Sequence, residues 1–396
     1  MNIKLISLNV LLGLVSFGSL AANIDAHEKF RGEQALEADQ SQWFRELRME
    51  NWTEIVPEQD IRNTLSKINS GHTLRDFINN NNEPGHWTYE FTKVANDYAA
   101  SANDYDSYRQ ASMMYLIASY PNHMTQHEHV AIERSVDLYL QAESLSQTID
   151  VERITMPLAN GLSITGLLHR PKGVSKPAVV LYTGGVDKIL TEHRAAIEGL
   201  LNQGFAVVTF DIPGGGLNNN ITVEIGKEDQ AHQAALAYVK SDQRLNGNNV
   251  GALSSSGGGV SLMTFILNTP ELKAGVARCA VVTDVLTDTQ VFHHAPLMSS
   301  MSYGYRIGVE DVSDLDSYGK WTIPLALKTK GFKTNETDVP VLAINTKDDM
   351  VNPPKEMEYT AGLSTKGEVA YFGNSGHCPD GEEAENAVVN FFDKYM

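Results

Sequence analysis

Short, continuously apolar segments alternate with helical stretches from about residue 149 to the end of the chain. Each segment is too short for a buried helix and too uniformly apolar for a strand with one face in water. Strands buried on both faces and separated by helices form a parallel sheet that helices cover on both sides. The predicted strands are 178–182, 206–210, 250–253, 276–282, 341–344 and 369–372, and the predicted helices are 192–203, 230–240, 260–268 and 382–395.

An antiparallel hairpin precedes these strands. Residues 152–157 and 162–169 alternate between polar and apolar side chains, and Asn160-Gly161 between them is a tight-turn pair. A hairpin that leads into a mostly parallel sheet is how an α/β-hydrolase fold begins. We therefore predict an α/β-hydrolase catalytic domain over residues 149–396, with an insertion at about 285–335.

The N-terminal part of the chain has a different pattern, with apolar residues recurring at spacings of three and four. The predicted helices are 61–68, 87–100, 108–118 and 126–143. This pattern predicts an all-helical cap domain over residues 22–148. We expect the cap to cover the C-terminal edge of the sheet and to shape the pocket, with further apolar residues from 291–305 lining it.

Residues 1–21 are predicted to be a secretory signal peptide. Lys4 supplies the positive charge, residues 5–20 are apolar, and Ser19 and Ala21 fit the small-residue rule for cleavage after Ala21. The alternative is an uncleaved membrane anchor, but the apolar run is shorter than a bilayer span and is interrupted by an asparagine. The mature protein is therefore expected to be exported, either to a periplasm or to the medium, without a stable membrane anchor.

The charge of the chain excludes one class of partner. The formal net charge is −18, and the predicted cleavage removes Lys4 and no acid, which makes it −19. Such an acidic surface repels nucleic acid phosphates and anionic lipids, so no nucleic acid partner is expected. The two cysteines, Cys279 and Cys378, are too few for a disulfide framework, and the sequence leaves open whether they pair.

A serine- and glycine-rich turn follows the predicted strand 250–253. The turn reads S-S-S-G-G-G over residues 254–259 and leads into a helix. Serine hydrolases of this fold place the nucleophile in a sharp strand-to-helix turn with the pattern G-x-S-x-G. Ser256 is the predicted nucleophile because Ser254 stands two residues before it and Gly258 two residues after it. Ser254 and Ser255 fit the pattern less well, and the alternative interpretation is a glycine-rich loop with incidental serines.

A hydroxyl needs a base to remove its proton, and the base needs an acid to orient it. The chain order in this fold is serine, acid, histidine. His377 follows the last predicted strand, where the histidine loop of the fold belongs, and is the predicted base. The acid is predicted to be Asp349, which precedes Pro353 by four residues, with Asp348 as its rival.

The oxyanion of a tetrahedral intermediate needs backbone N–H donors. We predict these donors at Gly257, directly after the nucleophile, and at Val186 in the T-G-G-V-D loop that follows strand 178–182. The D-I-P-G-G-G turn at 211–216 resembles a structural turn of α/β-hydrolases. No lysine of a phosphate-binding loop follows any of the glycine runs, so nucleotide binding is not expected.

Five histidines outside the predicted triad are interpreted without a catalytic role: His123, His127, His129, His293 and His294. The first three have a spacing that would suit a metal, but no cysteine or carboxylate set accompanies them, and they are interpreted as solvated surface residues. The other two are interpreted as plain loop residues of the insertion. No metal and no organic cofactor are expected.

With these residues placed, the chain resembles the FrsA-like esterases and, more widely, bacterial α/β-hydrolases with an N-terminal helical cap, which include pseudooxynicotine-type carbon–carbon hydrolases. Residues 108–121 match the pattern Y-x-x-A-S-x-x-Y-x-x-A-S-Y-P, and residues 184–187 match G-G-x-D. Ser256, Asp349 and His377 match the triad positions. The resemblance implies carboxylesterase activity toward short acyl esters.

The sequence thus predicts an exported serine hydrolase, specifically a carboxylesterase that forms an acyl-enzyme with a small-molecule ester. Two alternatives remain at this point. One is a hydrolase that cleaves an amide or a carbon–carbon bond with the same triad, since the triad does not choose the leaving group. The other is a non-catalytic binding protein on a hydrolase scaffold. The oligomeric state is not predicted.

Overall fold

The fold is described from a computed structural model. It covers residues 46–68, 82–120, 125–295, 297–310, 314–349, 351–373 and 376–396. The predicted signal peptide and His123 lie outside the described residues. None of the helices in these ranges combines the length and the apolar composition needed to cross a bilayer.

In the described ranges, strands form one eight-stranded sheet with the spatial order β1-β2-β4-β3-β5-β6-β7-β8. The strands are β1 (Ile149–Pro157), β2 (Ser163–Pro171), β3 (Val179–Thr183), β4 (Ala206–Phe210), β5 (Val250–Ser255), β6 (Ala274–Arg278), β7 (Val341–Asn345) and β8 (Gly367–Tyr371). The pairs β1–β2 and β2–β4 are antiparallel, and the pairs from β4 through β8 are parallel. Consequently the C-terminal ends of the parallel strands share one edge.

The helices pack against both faces of this sheet and at its C-terminal edge. They are α1 (Glu46–Thr53), α2 (Glu58–Ile68), α3 (Trp87–Ser101), α4 (Tyr105–Ser119), α5 (Gln126–Ser144), α6 (Glu198–Asn202), α7 (Gln230–Ser241), α8 (Gly259–Asn268), α9 (Asp284–Thr287), α10 (Gln290–His294), α11 (Leu297–Arg306), α12 (Gly319–Thr322), α13 (Pro354–Gly362) and α14 (Glu382–Tyr395). Along β3, Val179 and Leu181 pack with α7 and α8, while Val180 and Tyr182 pack with α6 and α14. This alternation explains why the strand is apolar at every position.

The N-terminal helices share a hydrophobic cluster with the insertion that follows β6. Helices α4 and α5 each begin with a capping box, formed by Asp104 with Ser107 and by Thr125 with Glu128. Tyr139 of α5 contacts β2 through a hydrogen bond of 2.8 Å between its hydroxyl and Nε2 of His169. The helical region is thereby held against the antiparallel end of the sheet.

Three predicted elements differ from the structure. The predicted helix 192–203 is a 3₁₀ turn, Leu190–Arg194, followed by the short α6. The predicted strand 276–282 ends at Arg278, because Cys279 adopts a φ of 44° that a strand does not allow. His293 and His294 are predicted as loop residues of the insertion, but they lie on helix α10. Nε2 of His293 is 3.1 Å from Oδ1 of Asp316.

Candidate active site

The turn between β5 and α8 places Ser256 above the C-terminal edge of the sheet. Ser256 has a φ of 48°, which is in the left-handed region that residues other than glycine rarely adopt. Backbone and side chains crowd this turn so closely that a Cβ at Gly257 would overlap Val186, and a Cβ at Gly258 would lie 2.8 Å from the carbonyl oxygen of Gly184. The glycines that follow Ser256 are therefore required by close approach.

The three adjacent serines have different surroundings. The hydroxyl of Thr183 donates a 2.7 Å hydrogen bond to Oγ of Ser254, which is fully buried. This bond accommodates a serine at the first position of the G-x-S-x-G pattern. Ser255 is the last residue of β5. Of the three serines, Ser256 is the one whose Oγ lies 2.7 Å from Nε2 of His377.

His377 is in turn hydrogen-bonded to an acid. Its Nδ1 lies 2.8 Å from Oδ2 of Asp349, which is only 4% exposed. The backbone N–H groups of Val351 and Asn352 donate to Oδ1 of Asp349 at 2.8 and 3.0 Å. Burial alone would raise the pKa of Asp349, but the hydrogen bond and charge of His377, with these two N–H groups, hold it below its usual value. Asp349 is therefore an anion at neutral pH.

The rival acid, Asp348, is exposed in the turn that follows β7. The structure thus brings Ser256, His377 and Asp349 into one hydrogen-bonded row and leaves Asp348 facing solvent. The row joins three loops, each of which follows a parallel strand: β5, β8 and β7. Because those strands end at the same edge of the sheet, side chains that are distant in sequence meet there.

A disulfide holds the loop that carries His377. Cys378 is bonded to Cys279, which directly follows β6, and their Cα atoms are 5.0 Å apart. The hydroxyl of Thr346 also donates a 2.6 Å hydrogen bond to the carbonyl oxygen of Gly376. The histidine loop is therefore fixed on both sides of His377, covalently on one side and by a hydrogen bond on the other.

We expect reduction of this disulfide to lower both stability and catalytic rate. The bond closes a loop with a sequence separation of 99 residues, and removing such a link typically costs about 2–5 kcal/mol of stability. A Cys279→Ser/Cys378→Ser variant should melt several degrees below the wild type and hydrolyse esters more slowly, because the histidine loop loses its covalent link.

Thermal melts and hydrolysis rates with and without a phosphine reductant test this. The reductant should change the wild type and leave the double variant unaffected, which controls for side effects of the reagent. Equal melting temperatures and equal rates for the oxidised wild type and the double variant would contradict the expectation.

The two residues predicted to supply N–H groups to an oxyanion, Gly257 and Val186, lie against each other at the turn that carries Ser256. A Cβ atom added at Gly257 would lie 3.6 Å from the backbone nitrogen of Val186. A Cβ atom added at Gly185 would lie 3.6 Å from Oγ of Ser256. The turn that carries Ser256 and the loop after β3 therefore meet beside the hydroxyl of Ser256. Gly257 also stands near the start of α8, where backbone N–H groups have no partner within the helix.

A cavity of about 630 Å³ opens over Ser256 and His377. The predicted apolar contribution from residues 291–305 is present, since Val291, Phe292 and Tyr303 line the cavity. The rings of Phe292 and Tyr303 are stacked, with centroids 5.5 Å apart. Among the described residues the cavity lining comes entirely from position 186 onward, and the N-terminal helices pack behind it, in one hydrophobic cluster with Val285, Phe292 and Tyr303. The insertion after β6 occupies the space over the site.

Two carboxylates near the cavity, those of Asp284 and Glu356, are paired or hydrogen-bonded. Asp284 lies 2.8 Å from Nζ of Lys328 and 3.0 Å from Nζ of Lys355. The buried carboxylate of Glu356 accepts hydrogen bonds from three successive N–H groups, residues 282–284. Sequence reasoning missed Glu356, because nothing in a helical P-P-K-E-M-E pattern shows which acid points inward.

One set of side chains in the described residues has the composition of a soft-metal site. Cys279, His377 and Cys378 bring their ligand atoms within 4.8 Å of one another. The two sulfurs are joined in the disulfide, and the two imidazole nitrogens contact Ser256 and Asp349. These atoms are committed to other bonds, so the set does not fit a metal ion.

The geometry can be compared with known proteins. The family model of FrsA-like esterases matches residues 18–393. The chain belongs to the FrsA-like esterase family. The predicted resemblance is thereby confirmed, and the chain is a hydrolase related to esterases.

Curated relatives of this FrsA-like chain carry the name Esterase FrsA. The relative from Vibrio parahaemolyticus is 26% identical over 346 residues, which cover 82% of this chain and 81% of the relative. The relative from Klebsiella pneumoniae is 25% identical over 304 residues, which cover 72% of this chain and 70% of the relative.

Solved structures confirm the predicted α/β-hydrolase fold. Wild-type AbyA5 is similar with a TM-score of 0.64 and 16% identity, over 82% of this chain and 87% of that one. The 2,6-dihydroxy-pseudo-oxynicotine hydrolase is similar with a TM-score of 0.63 and 16% identity, over 87% of this chain and 94% of that one. At this identity the likeness extends to the fold alone, which includes the N-terminal helical region.

Proposed function

We propose that this FrsA-like protein is a carboxylesterase that acts on short acyl esters through a Ser-His-Asp triad. The observation that carries the proposal is the row of two hydrogen bonds, 2.7 Å from Ser256 to His377 and 2.8 Å from His377 to Asp349, at the wall of a largely apolar cavity. A serine, a base and an orienting acid within hydrogen-bond reach are the arrangement that activates a hydroxyl.

The first half of the reaction forms an acyl-enzyme. Oγ of Ser256 attacks the ester carbonyl carbon while Nε2 of His377 removes the hydroxyl proton. Asp349 keeps the proton on Nδ1 and stabilises the imidazolium. The carbonyl oxygen becomes an oxyanion that the N–H groups of Gly257 and Val186 stabilise. Collapse of the tetrahedral intermediate breaks the bond to the alcohol oxygen, and His377 gives that oxygen its proton.

The second half releases the acid. Nε2 of His377 takes a proton from a water molecule, whose oxygen attacks the acyl carbon and forms a second oxyanion in the same position. This intermediate collapses to the carboxylic acid, and His377 returns the proton to Oγ of Ser256. The enzyme regains its starting state. Every proton in the cycle moves between Ser256, His377, the leaving alcohol and water, so the proposed steps need neither a metal nor an organic cofactor.

The substrate proposed for this site is a small neutral ester. A volume near 630 Å³ lies within the usual range for small-molecule pockets. Asp288 at the cavity and the formal net charge of −18 disfavour anionic substrates, whereas the charge of Asp284 is neutralised by Lys328 and Lys355. Apolar walls such as Val285 and Phe292 favour an acyl or alcohol group without charge.

Hydrolysis of p-nitrophenyl acetate, butyrate and octanoate tests the proposal. We expect turnover of acetate and butyrate, with a lower kcat/KM for the longest chain. A fluorophosphonate probe should label the protein, and mapping of the modified peptide should place the label on Ser256. Absence of both turnover and labelling would instead favour a binding protein. Labelling without ester turnover would favour an amide or carbon–carbon substrate.

We also propose that the chain is exported and cleaved after Ala21. The charge of Lys4, the apolar residues 5–20 and the small residues before the cleavage position support this. The disulfide between Cys279 and Cys378 is consistent with an oxidising compartment. N-terminal sequencing of the protein from separated cell fractions and medium should find Ala22 as the first residue. A cytoplasmic protein that begins at Met1 would refute export.

A further inference from the structure

Helix α11 of the insertion runs along the loop that carries Val186, and three of its side chains bond to three successive residues of that loop. Oγ of Ser299 donates to Oδ2 of Asp187 at 3.1 Å. Oγ of Ser302 donates to the carbonyl oxygen of Val186 at 3.2 Å. Nη1 of Arg306 donates to the carbonyl oxygen of Gly185 at 3.4 Å.

The spacing of these three residues puts them on one face of the helix. Positions three and four residues apart lie above one another on an α-helix, so 299, 302 and 306 form a single row. The row contacts the loop in reverse order, from residue 187 to residue 185. The loop is therefore held along its length by one rigid element rather than by a single contact.

Arg306 is the unusual member of the row. It is only 1% exposed, and its Nε and Nη2 have no hydrogen-bond partner among the described residues. A buried guanidinium without full hydrogen bonding costs stability, which points to a role other than stabilising the fold. The D-I-P-G-G-G turn makes room for it, because Cβ atoms at Gly214 and Gly215 would lie 2.5 Å from Cα and 2.8 Å from Cζ of Arg306.

The charge of Arg306 persists at neutral pH. Burial lowers the pKa of Arg306 to about 10, and the carboxylates of Asp211 and Asp187 act in the opposite direction. Arg306 also lines a small gap together with Gly257. A fixed positive charge thus adjoins the carbonyl of Gly185, whose peptide unit includes the N–H of Val186.

We propose that Arg306, supported by Ser302 and Ser299, is a positioning residue for the oxyanion site, an inference that rests on the proposed hydrolase function. The carbonyl of Gly185 and the N–H of Val186 belong to the same peptide unit. A charged donor on that carbonyl polarises the unit and strengthens its N–H as a donor, because hydrogen bonds in series reinforce one another. The same contact fixes the plane of the peptide, so the N–H points at the reacting carbonyl.

The test uses Arg306→Met, which removes the charge while keeping a long side chain, and Arg306→Lys, which restores the charge without the planar fork. We expect Arg306→Met to lower kcat on p-nitrophenyl butyrate by about 10- to 100-fold, as loss of an oxyanion donor does. KM should change much less, and Arg306→Lys should recover part of the rate. Ser302→Ala should show a smaller loss of the same kind.

Two readouts separate positioning from general damage. Phenylboronic acid forms a tetrahedral anion with Oγ of Ser256, so its inhibition constant should rise in Arg306→Met in parallel with the fall in kcat. Arg109→Met is the matched control, since Arg109 is a largely buried arginine in α4 whose guanidinium lies 3.6 Å from Glu143. The melting temperature of Arg109→Met should change, while its kcat, expressed per Ser256 labelled by the fluorophosphonate probe, stays within about two-fold of the wild type.

The outcomes distinguish a failure of the positioning role from a failure of the proposed substrate class. If Arg306→Met matches the wild type within two-fold in kcat and in boronate inhibition, the positioning role is wrong. If the variant does not fold, Arg306→Lys and Ser302→Ala are judged by the same threshold. If the wild type hydrolyses no ester, slower phosphonylation of Ser256 in the variants would still support the positioning role, and the proposed substrate class alone would fail.

Discussion

Ser256→Ala is expected to abolish ester hydrolysis, with kcat falling by about 10⁵- to 10⁶-fold. Ser256 is the serine whose hydroxyl lies 2.7 Å from Nε2 of His377, and the substitution removes the atom that would form the acyl bond. The alanine removes only the hydroxyl at a position already held at a φ of 48°. The fold should therefore persist, and the melting temperature should shift little.

The neighbouring Ser255→Ala is the matched control for this variant. It deletes the same atom one residue earlier, at the end of β5, from a serine whose side chain is hydrogen-bonded to Tyr182. Measurement of kcat on p-nitrophenyl butyrate for both variants, with circular dichroism melts, distinguishes them. A Ser256→Ala protein that hydrolyses the ester at the wild-type rate would refute the proposed mechanism, and loss of activity in Ser255→Ala alone would move the nucleophile to that serine.

Asp349→Asn is expected to lower kcat by about 10⁴-fold at neutral pH while leaving KM nearly unchanged. Oδ2 of Asp349 lies 2.8 Å from Nδ1 of His377, so an amide there removes the charge that stabilises the imidazolium. An amide nitrogen facing Nδ1 would also favour the tautomer with its proton on Nε2, which cannot accept the serine proton.

Asp348→Asn provides the control for that substitution. The two aspartates are adjacent, and the change in charge and size is identical, but Asp348 is exposed in the turn while Asp349 is buried. Rates over a series of p-nitrophenyl butyrate concentrations should place Asp348→Asn within about two-fold of the wild type. Comparable losses in the two variants would show that the charge of the turn matters rather than one hydrogen bond.

The parts of the fold that local pattern determines could be predicted from the sequence. Short apolar strands alternating with helices predicted the parallel sheet, and small residues around Ser256 predicted a sharp turn there. The end of β6 was predicted wrongly because Val281 and Val282 continue the apolar run, whereas Cys279 leaves the strand conformation. A buried loop and a buried strand have the same composition at that point.

The pocket lining, the contact of Arg306 and the disulfide depend on how distant elements pack, and local sequence pattern does not predict such packing. The described residues that line the pocket belong to the insertion and the loops at the sheet edge, and the N-terminal helices pack behind them. The burial and the contact of Arg306 could not be predicted, because a single arginine in a serine-rich helix has no sequence signature. Its hydrogen-bond partner, Gly185, is 121 residues away in the chain. The pairing of Cys279 with Cys378 likewise became visible only when the sheet brought β6 beside the histidine loop.

The double use of helix α11 limits how the specificity of this enzyme can be redesigned. Tyr303 and Ser300 line the cavity over Ser256, while Ser302 and Arg306 on the same ten-residue helix contact the loop after β3. Replacing the whole insertion with that of another hydrolase would exchange the cavity-lining residues and the loop-contacting residues together. Such an exchange would change selectivity and also lower the rate. Libraries confined to Val291, Phe292, Ser300 and Tyr303 would alter which esters enter and leave the chemical machinery intact.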